Sequence, residues 1–246
     1  LSDAVKKKQT CTCGAIPLGS CEFWSAVGAN VEKRTKVNPV THPWDYPMWP
    51  SELGRVASTR IKALESVTRS TVGTPAGAAS LAAYALDPGV RTIRTNALHL
   101  LDAALDESNT EVAIDQVDSP WRGYAMYNRR PNAGRFVHVV RDGRGVMSAM
   151  LRLGERKDRR WFDDPSKAAK EWVHHNADIL NMLHHVDPQH WITVRYEDLV
   201  TDPEREVARI HALAELPPIQ TANVASGHAI DVDRTAKGKF ERDERW

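Results

Sequence analysis

Residues 136–152, FVHVVRDGRGVMSAMLR, constrain the fold of this chain more than any other stretch. Five apolar or β-branched residues, Phe136 to Val140, read as a buried strand ending on Arg141. A glycine-flanked turn follows, Asp142-Gly143-Arg144-Gly145. A helix then starts, with Val146, Met147, Met150 and Leu151 on its inner face. Ser148 falls seven residues after Arg141, about two helical turns along. The first turn of such a helix offers unpaired N–H groups and the positive end of the helix dipole. Arg141 brings a planar fork that matches phosphate oxygens, and Ser148 a hydroxyl donor. Together they make a phosphate clamp. The same residues also permit a plainer arrangement, an Arg141–Asp142 salt bridge beside a structural βα turn.

The texture around this motif points to an α/β fold. EVAID (111–115), FVHVV (136–140) and WITVRY (191–196) read as short buried strands. Helical patterns separate them. Asp164-Pro165 opens one helix, with Ala168, Ala169, Trp172, Val173, Ile179, Leu180 and Leu183 apolar. Thr201-Asp202-Pro203-Glu204 opens another, with Val207, Ile210 and Ala214 inward. Both show a capping residue followed by Pro at the first helical position. Strands alternating with helices predict a central parallel sheet flanked by helices, with ligands at the carboxyl ends of its strands.

The first half is built differently. Residues 51–106 carry helical periodicity: Val56, Ile61, Leu64 and Val67, an Ala-rich run stopped by Asp87-Pro88-Gly89, then Ile93, Ala97, Leu98, Leu101 and Leu105. Residues 1–50 are irregular. In the Pro/Trp-rich stretch around 41–52, Pro39, Pro43, Pro47 and Pro50 forbid a long helix. Trp24, Trp44, Tyr46 and Trp49 need burial or use, and a loop packed on the domain supplies the first. The expectation is one domain over 1–246: an irregular Cys/Pro/Trp-rich segment (1–50), a helical segment (51–106) and an α/β nucleotide-binding part (107–246).

Charge narrows the partners. The 33 basic and 32 acidic side chains leave a formal net charge of +1. A nucleic-acid surface needs a clear basic excess, so that partner is not expected. No apolar run reaches the length of a membrane span. Cys11, Cys13 and Cys21 are too few for a disulfide framework and suit a reduced compartment, hence a cytoplasmic setting. Zinc held by these three with His42 lacks a clear fourth ligand pattern. No metal is expected.

Four stretches in order resemble the PAPS-dependent sulfotransferases, the enzymes that take 3′-phosphoadenosine 5′-phosphosulfate as donor. Residues 136–152 resemble the family's 3′-phosphate-binding segment, which implies that role for Arg141 and Ser148. VRYEDLVTDPE (194–204) is similar to the strand-and-helix segment that follows, which implies that Tyr196 lies near the donor's adenine. CTCGAIPLGSCEFW (11–24) resembles a Cys-x-Cys-Gly segment of a bacterial branch. HAIDVDRTAKGKFERDERW (228–246) resembles the late loop that closes over the 3′-phosphate, which implies contacts from Arg234, Lys237 and Gly238. The resemblance implies a P-loop-type sulfotransferase fold and PAPS/PAP as the nucleotide. The implied reaction is sulfuryl transfer to the hydroxyl or amine of a small-molecule or carbohydrate acceptor.

Two features depart from the family pattern. No strand with a Gly-rich basic loop, the usual cradle for the 5′-phosphosulfate, precedes Cys11. The expectation is therefore that the 5′ side lacks its cradle and that the chain binds nucleotide and transfers sulfate poorly. Thr71-Val-Gly-Thr-Pro-Ala-Gly77 lacks the basic residue and reads as a helix–helix connection. On the acceptor side, Asp118 stands where the family often has a basic residue or His. Asp118 and Asp115 are candidate general bases, and both also suit a turn-bracing role. Competing functions are a non-catalytic or fragmentary nucleotide-binding relative and, less favoured, a small-molecule kinase. A kinase requires a Gly-Lys-Ser/Thr loop that is missing here.

Overall fold

A computed structural model describes residues 11, 20–72, 74–117, 119–157 and 164–218, with 153–157 described through their backbone. The described residues fall into two compact units, 11–132 and 133–218.

The first unit is helical: α1 (Glu22–Thr35), α2 (Arg55–Ser70), α3 (Pro75–Leu86), α4 (Pro88–Ser108) and α5 (Pro120–Arg129). Its helix boundaries follow from caps. Thr74 accepts the Gly77 N–H at 3.1 Å ahead of Pro75, so 71–77 joins two helices as expected. Asp87 ends α3 and also starts α4, accepting from Gly89 N at 2.8 Å and Val90 N at 3.3 Å. Proline at the first helical position costs nothing there, because its missing N–H would be unpaired anyway. Ser119 starts α5 in the same way.

The core of this unit joins α1, α4 and the proline-rich loop. Val27, Val31, Tyr46, Met48, Ala97 and Ala103 form one buried cluster. The Tyr46 hydroxyl donates to Asn96 O at 2.7 Å, and Asn96 Nδ2 donates to Pro47 O at 2.9 Å. The loop is thus fastened to α4 by apolar burial and by a reciprocal pair of hydrogen bonds. Trp44 departs from the expectation of burial and is 73% exposed. Between α2 and α3 the contact is partly polar: Thr68 and Ser80, both buried, share a hydrogen bond at 2.7 Å. Of the apolar residues at helical intervals in α2, Ile61 is buried, whereas Val56 and Val67 face solvent.

The second unit runs β1 (Phe136–Val140), α6 (Gly143–Lys157), α7 (Pro165–Leu183), β2 (Trp191–Arg195), α8 (Tyr196–Thr201) and α9 (Pro203–Leu213). β1 and β2 pair in parallel, with Phe136 opposite Trp191 and Val140 opposite Arg195. The fold is α/β, and both strands deliver their carboxyl ends to one edge. α6 packs against α7, and α8 and α9 contact β2. Asp164 and Asp202 cap α7 and α9 ahead of Pro165 and Pro203.

The third expected strand does not form: residues 112–117 have no regular structure, and Ile114 is 95% exposed. A strand is stabilised by its neighbours in the ladder, and this run has none among the described residues. β1 also differs from a fully buried strand, since Val137 and Val139 are 38% and 52% exposed. Its middle residue, His138, is buried and reaches Asn176 Oδ1 of α7 at 3.1 Å. Burial lowers the His138 pKa below its ordinary value.

Candidate functional site

The carboxyl edge of the parallel pair gathers the residues that the sequence marked. Arg141 follows the last residue of β1, and Tyr196 follows the last residue of β2. The matched register, Val140 opposite Arg195, brings both successors to the same level. The Arg141 guanidinium lies over the Tyr196 ring, 4.8 Å from its centroid. A cation on a ring face keeps its N–H groups in the plane, so the stack fixes the orientation of the fork. Trp172 of α7 braces the same residue from the backbone side, its indole N–H donating to Arg141 O at 3.2 Å. The turn leaves room for that ring: a Cβ on Gly143 would come within 3.2 Å of Trp172.

The Arg141–Asp142 salt bridge is not what forms. Asp142 pairs with Arg144, whose Nη2 lies 2.7 Å from Oδ2 and whose Nε lies 3.0 Å from Oδ1. Asp142 Oδ1 also accepts the Arg144 backbone N–H at 2.8 Å. These bonds to Arg144 hold the Asp142 carboxyl down to about 2. The Asp142 N–H in turn donates to Glu197 Oε1 at 2.8 Å. The Asp142 and Arg144 N–H groups at the start of this helix are therefore engaged by protein carboxylates. Asp is a preferred helix cap, and here it serves as one.

Ser148 stands on α6, beyond this turn. Its Oγ accepts from Arg152 Nη1 at 2.9 Å, one turn along α6. A hydroxyl that accepts in this way keeps its own proton to donate elsewhere. Sequence reasoning missed Arg152, although its i+4 spacing from Ser148 puts both on one helix face. Trp172 was read only as an apolar helix residue. Its role at Arg141 comes from tertiary packing and left no local signal.

An open groove of about 550 Å³ runs along this edge, lined by Asp142, Arg144, Arg195, Glu197, Asp198, Thr201, Asp202 and Arg205. Arg141, Ser148 and Tyr196 are not among its lining residues. The groove mixes both signs of charge, which does not by itself select an anion.

The remaining predicted residues are distributed as follows. Asp115 belongs to the first unit, where its Oδ2 lies 3.5 Å from Arg122 Nη2. Asp118, Arg234, Lys237 and Gly238 lie outside the described residues. Cys11 and Cys21 are buried, with their sulfurs 3.5 Å apart, and Cys13 lies outside the described residues. Among the described residues, no three His, Cys, Asp or Glu side chains come together as metal ligands. Among them, too, no helix is long and apolar enough to cross a membrane.

Comparison with known proteins decides the family. The model described as "Sulfotransferase family" matches residues 81–220, more than half of the chain. This chain belongs to the sulfotransferase family. The matched region contains Arg141, Ser148 and Tyr196, and it excludes the segments at 11–24 and 228–246. A solved structure described as the "Sulfotransferase Domain from the Curacin Biosynthetic Pathway" is similar to this chain. The identity is 19%, over 63% of this chain and 55% of that one, with a TM-score of 0.42. The match thus spans little more than half of that domain. No curated protein matches this member of the family.

Proposed function

We propose that the chain binds PAPS and moves its sulfuryl group to the hydroxyl or amine of a small-molecule or carbohydrate acceptor. The observation that carries the reading is the Arg141–Tyr196 stack at the carboxyl edge of the parallel pair, with Ser148 and Arg152 on the helix that follows β1. Family membership makes sulfuryl transfer the coarse activity. The stack supports the nucleotide assignment, because a held guanidinium suits a phosphate and a tyrosine ring suits a purine.

In this reading Arg141 and Ser148 hold the 3′-phosphate. Arg152 orients the Ser148 hydroxyl and adds positive charge beside it. Tyr196 borders the adenine, and Arg234, Lys237 and Gly238 close over the phosphate. Trp172 acts on Arg141 rather than on the nucleotide. When bound, PAPS supplies the sulfuryl group and leaves as PAP. The acceptor oxygen or nitrogen forms a bond to sulfur as the bond from sulfur to the phosphate oxygen breaks. The acceptor's proton goes to a base, for which Asp118 and Asp115 are the candidates. Positioning and cationic stabilisation carry such a transfer, so no metal is part of this mechanism.

The test is transfer of label from [35S]PAPS to a panel of alcohols, phenols, amines and sugars, with PAP released in equal amount. Labelled product that disappears in Arg141→Ala and Ser148→Ala supports the reading. Nucleotide binding that leaves every acceptor unlabelled would favour a non-catalytic relative.

A further inference from the structure

The thiols of Cys11 and Cys21 play no part in the reading above. They belong to the Cys-rich segment at 11–24, outside the stretch 81–220 that carries the family match. Both lie in the first unit, at 7% and 5% exposure, and they are not joined by a disulfide. The Cys11 S–H instead donates to Cys21 Sγ at 3.5 Å, across ten positions of chain. A disulfide holds its sulfurs about 2.05 Å apart, so closure asks for a movement of about 1.5 Å, within reach of a side-chain rotation.

Cys21 stands where another residue type would be expected. It is the N-cap of α1, and its carbonyl accepts the Ser25 N–H at 2.9 Å. Ser, Thr, Asp and Asn are preferred at such a position because their oxygens accept first-turn N–H groups. The Cys21 sulfur makes no capping bond of that kind and turns to Cys11. Further along the same helix, Val27 and Val31 are packed with Tyr46, Met48, Ala97 and Ala103. A bond between the two sulfurs would therefore fasten residue 11 to the start of a helix that the core already fixes. Burial shapes the chemistry as well. A bulky adduct on either thiol has little room, and the second sulfur in contact resolves any mixed disulfide on the first.

We infer that Cys11 and Cys21 form a reversible intramolecular disulfide that ties the Cys-rich segment to the N-terminus of α1, with Cys13 left as a thiol. The oxidant is a low-molecular-weight disulfide such as oxidised glutathione. One cysteine, as thiolate, attacks it and releases the first small thiol. The other cysteine then attacks the mixed disulfide at the first cysteine's sulfur and releases the second. The pair loses two electrons and two protons, and the oxidant's S–S bond ends as two thiols. Closing a loop of this size removes freedom from the unfolded chain. The bridge therefore forms more readily in the folded chain than in the unfolded one, by up to about a hundredfold. The inference rests on residues of the first unit alone and is independent of the nucleotide assignment at Arg141.

Thiol mapping on the full chain tests it. The chain is equilibrated in glutathione redox buffers and quenched with acid, and its remaining thiols are blocked with N-ethylmaleimide. It is then reduced, labelled with iodoacetamide and read by tandem mass spectrometry. Iodoacetamide is expected on Cys11 and Cys21 together, and maleimide on Cys13. Cys13→Ser should form the same bridge, with an equilibrium constant about tenfold or more larger in the folded chain than in concentrated urea. Its oxidised form should unfold at higher urea than its reduced form, and Cys21→Ser should lose that redox-dependent shift. A main product that joins Cys13 to either of the others would overturn the inference, and this result needs no variant to fold. So would a Cys11–Cys21 bridge that forms no more readily in the folded chain than in urea. PAP binding does not enter the measurement, so a failure of the nucleotide site would leave this test standing.

Discussion

Replacement of Tyr46 measures how far the proline-rich loop belongs to the core of the helical unit. Its side chain is 1% exposed, packed with Val27, Val31, Met48, Ala97 and Ala103, and its hydroxyl donates to Asn96 O at 2.7 Å. Tyr46→Phe keeps the ring and removes one hydrogen bond. Asn96 lies inside α4, where its carbonyl also has a helical partner, so the loss should fall near the centre of the range for a neutral bond, about 1 kcal/mol. Tyr46→Ala removes the ring and leaves a cavity, which in a buried aromatic site costs about 3–5 kcal/mol. Asn96→Ala removes the return bond to Pro47 O and should cost about 1 kcal/mol. Paired with Tyr46→Phe, it should show non-additivity, because both bonds fasten the same loop. The assay is urea unfolding of the full chain followed by far-UV circular dichroism, with midpoint and slope fitted for each variant. A loss below about 1 kcal/mol for Tyr46→Ala would refute the reasoning, since no buried ring could then be at stake. A Tyr46→Phe cost equal to that of Tyr46→Ala would refute it differently, by placing all the energy in the hydroxyl.

Burial holds the Tyr46 and Tyr84 hydroxyls above the ordinary tyrosine value of 10.0, and Glu65 adds to the effect at Tyr84. The unfolded chain therefore loses these protons first. Stability should be full below about pH 10 and fall above it, with Tyr46→Phe flattening the fall in a pH series of urea midpoints. His138 works at the other end. Burial lowers its pKa below 6.5, so protonation favours the unfolded chain, and stability should be full above pH 6.5 and decline below it. His185 shifts the same way, so His138→Gln should remove part of that decline and not all of it. Trp172→Phe keeps an aromatic side chain at this position and removes the bond to Arg141 O, so it should weaken PAP by several-fold while changing the unfolding free energy by about 1 kcal/mol or less.

What the sequence made legible was local. Asp164-Pro165 and Asp202-Pro203 announced their helices because cap and proline act within one turn. The strand–Arg–turn–helix motif appeared at 136–152 as read, since a β-branched run and a glycine turn are short-range signals. What failed was non-local. EVAID has the composition of a strand, yet a strand exists only against a partner, and composition does not name one. Asp142 was weighed as a partner for Arg141, but Arg144 is two residues away and also offers its N–H, so the capping geometry wins. Trp172 reaches Arg141 from 31 positions along the chain, a contact set by how α7 packs on α6.

The central claim is that Arg141 and Ser148 recognise the 3′-phosphate of the donor nucleotide. Titration calorimetry of the chain with PAP and with adenosine 5′-monophosphate, which lacks that phosphate, tests it most directly. The account predicts clearly tighter binding of PAP. Arg141→Ala should cost about 1.5–3 kcal/mol with PAP, the range for a hydrogen bond to a charged group, and much less with adenosine 5′-monophosphate. Equal affinity for the two nucleotides, or an Arg141→Ala chain that loses both alike, would contradict it.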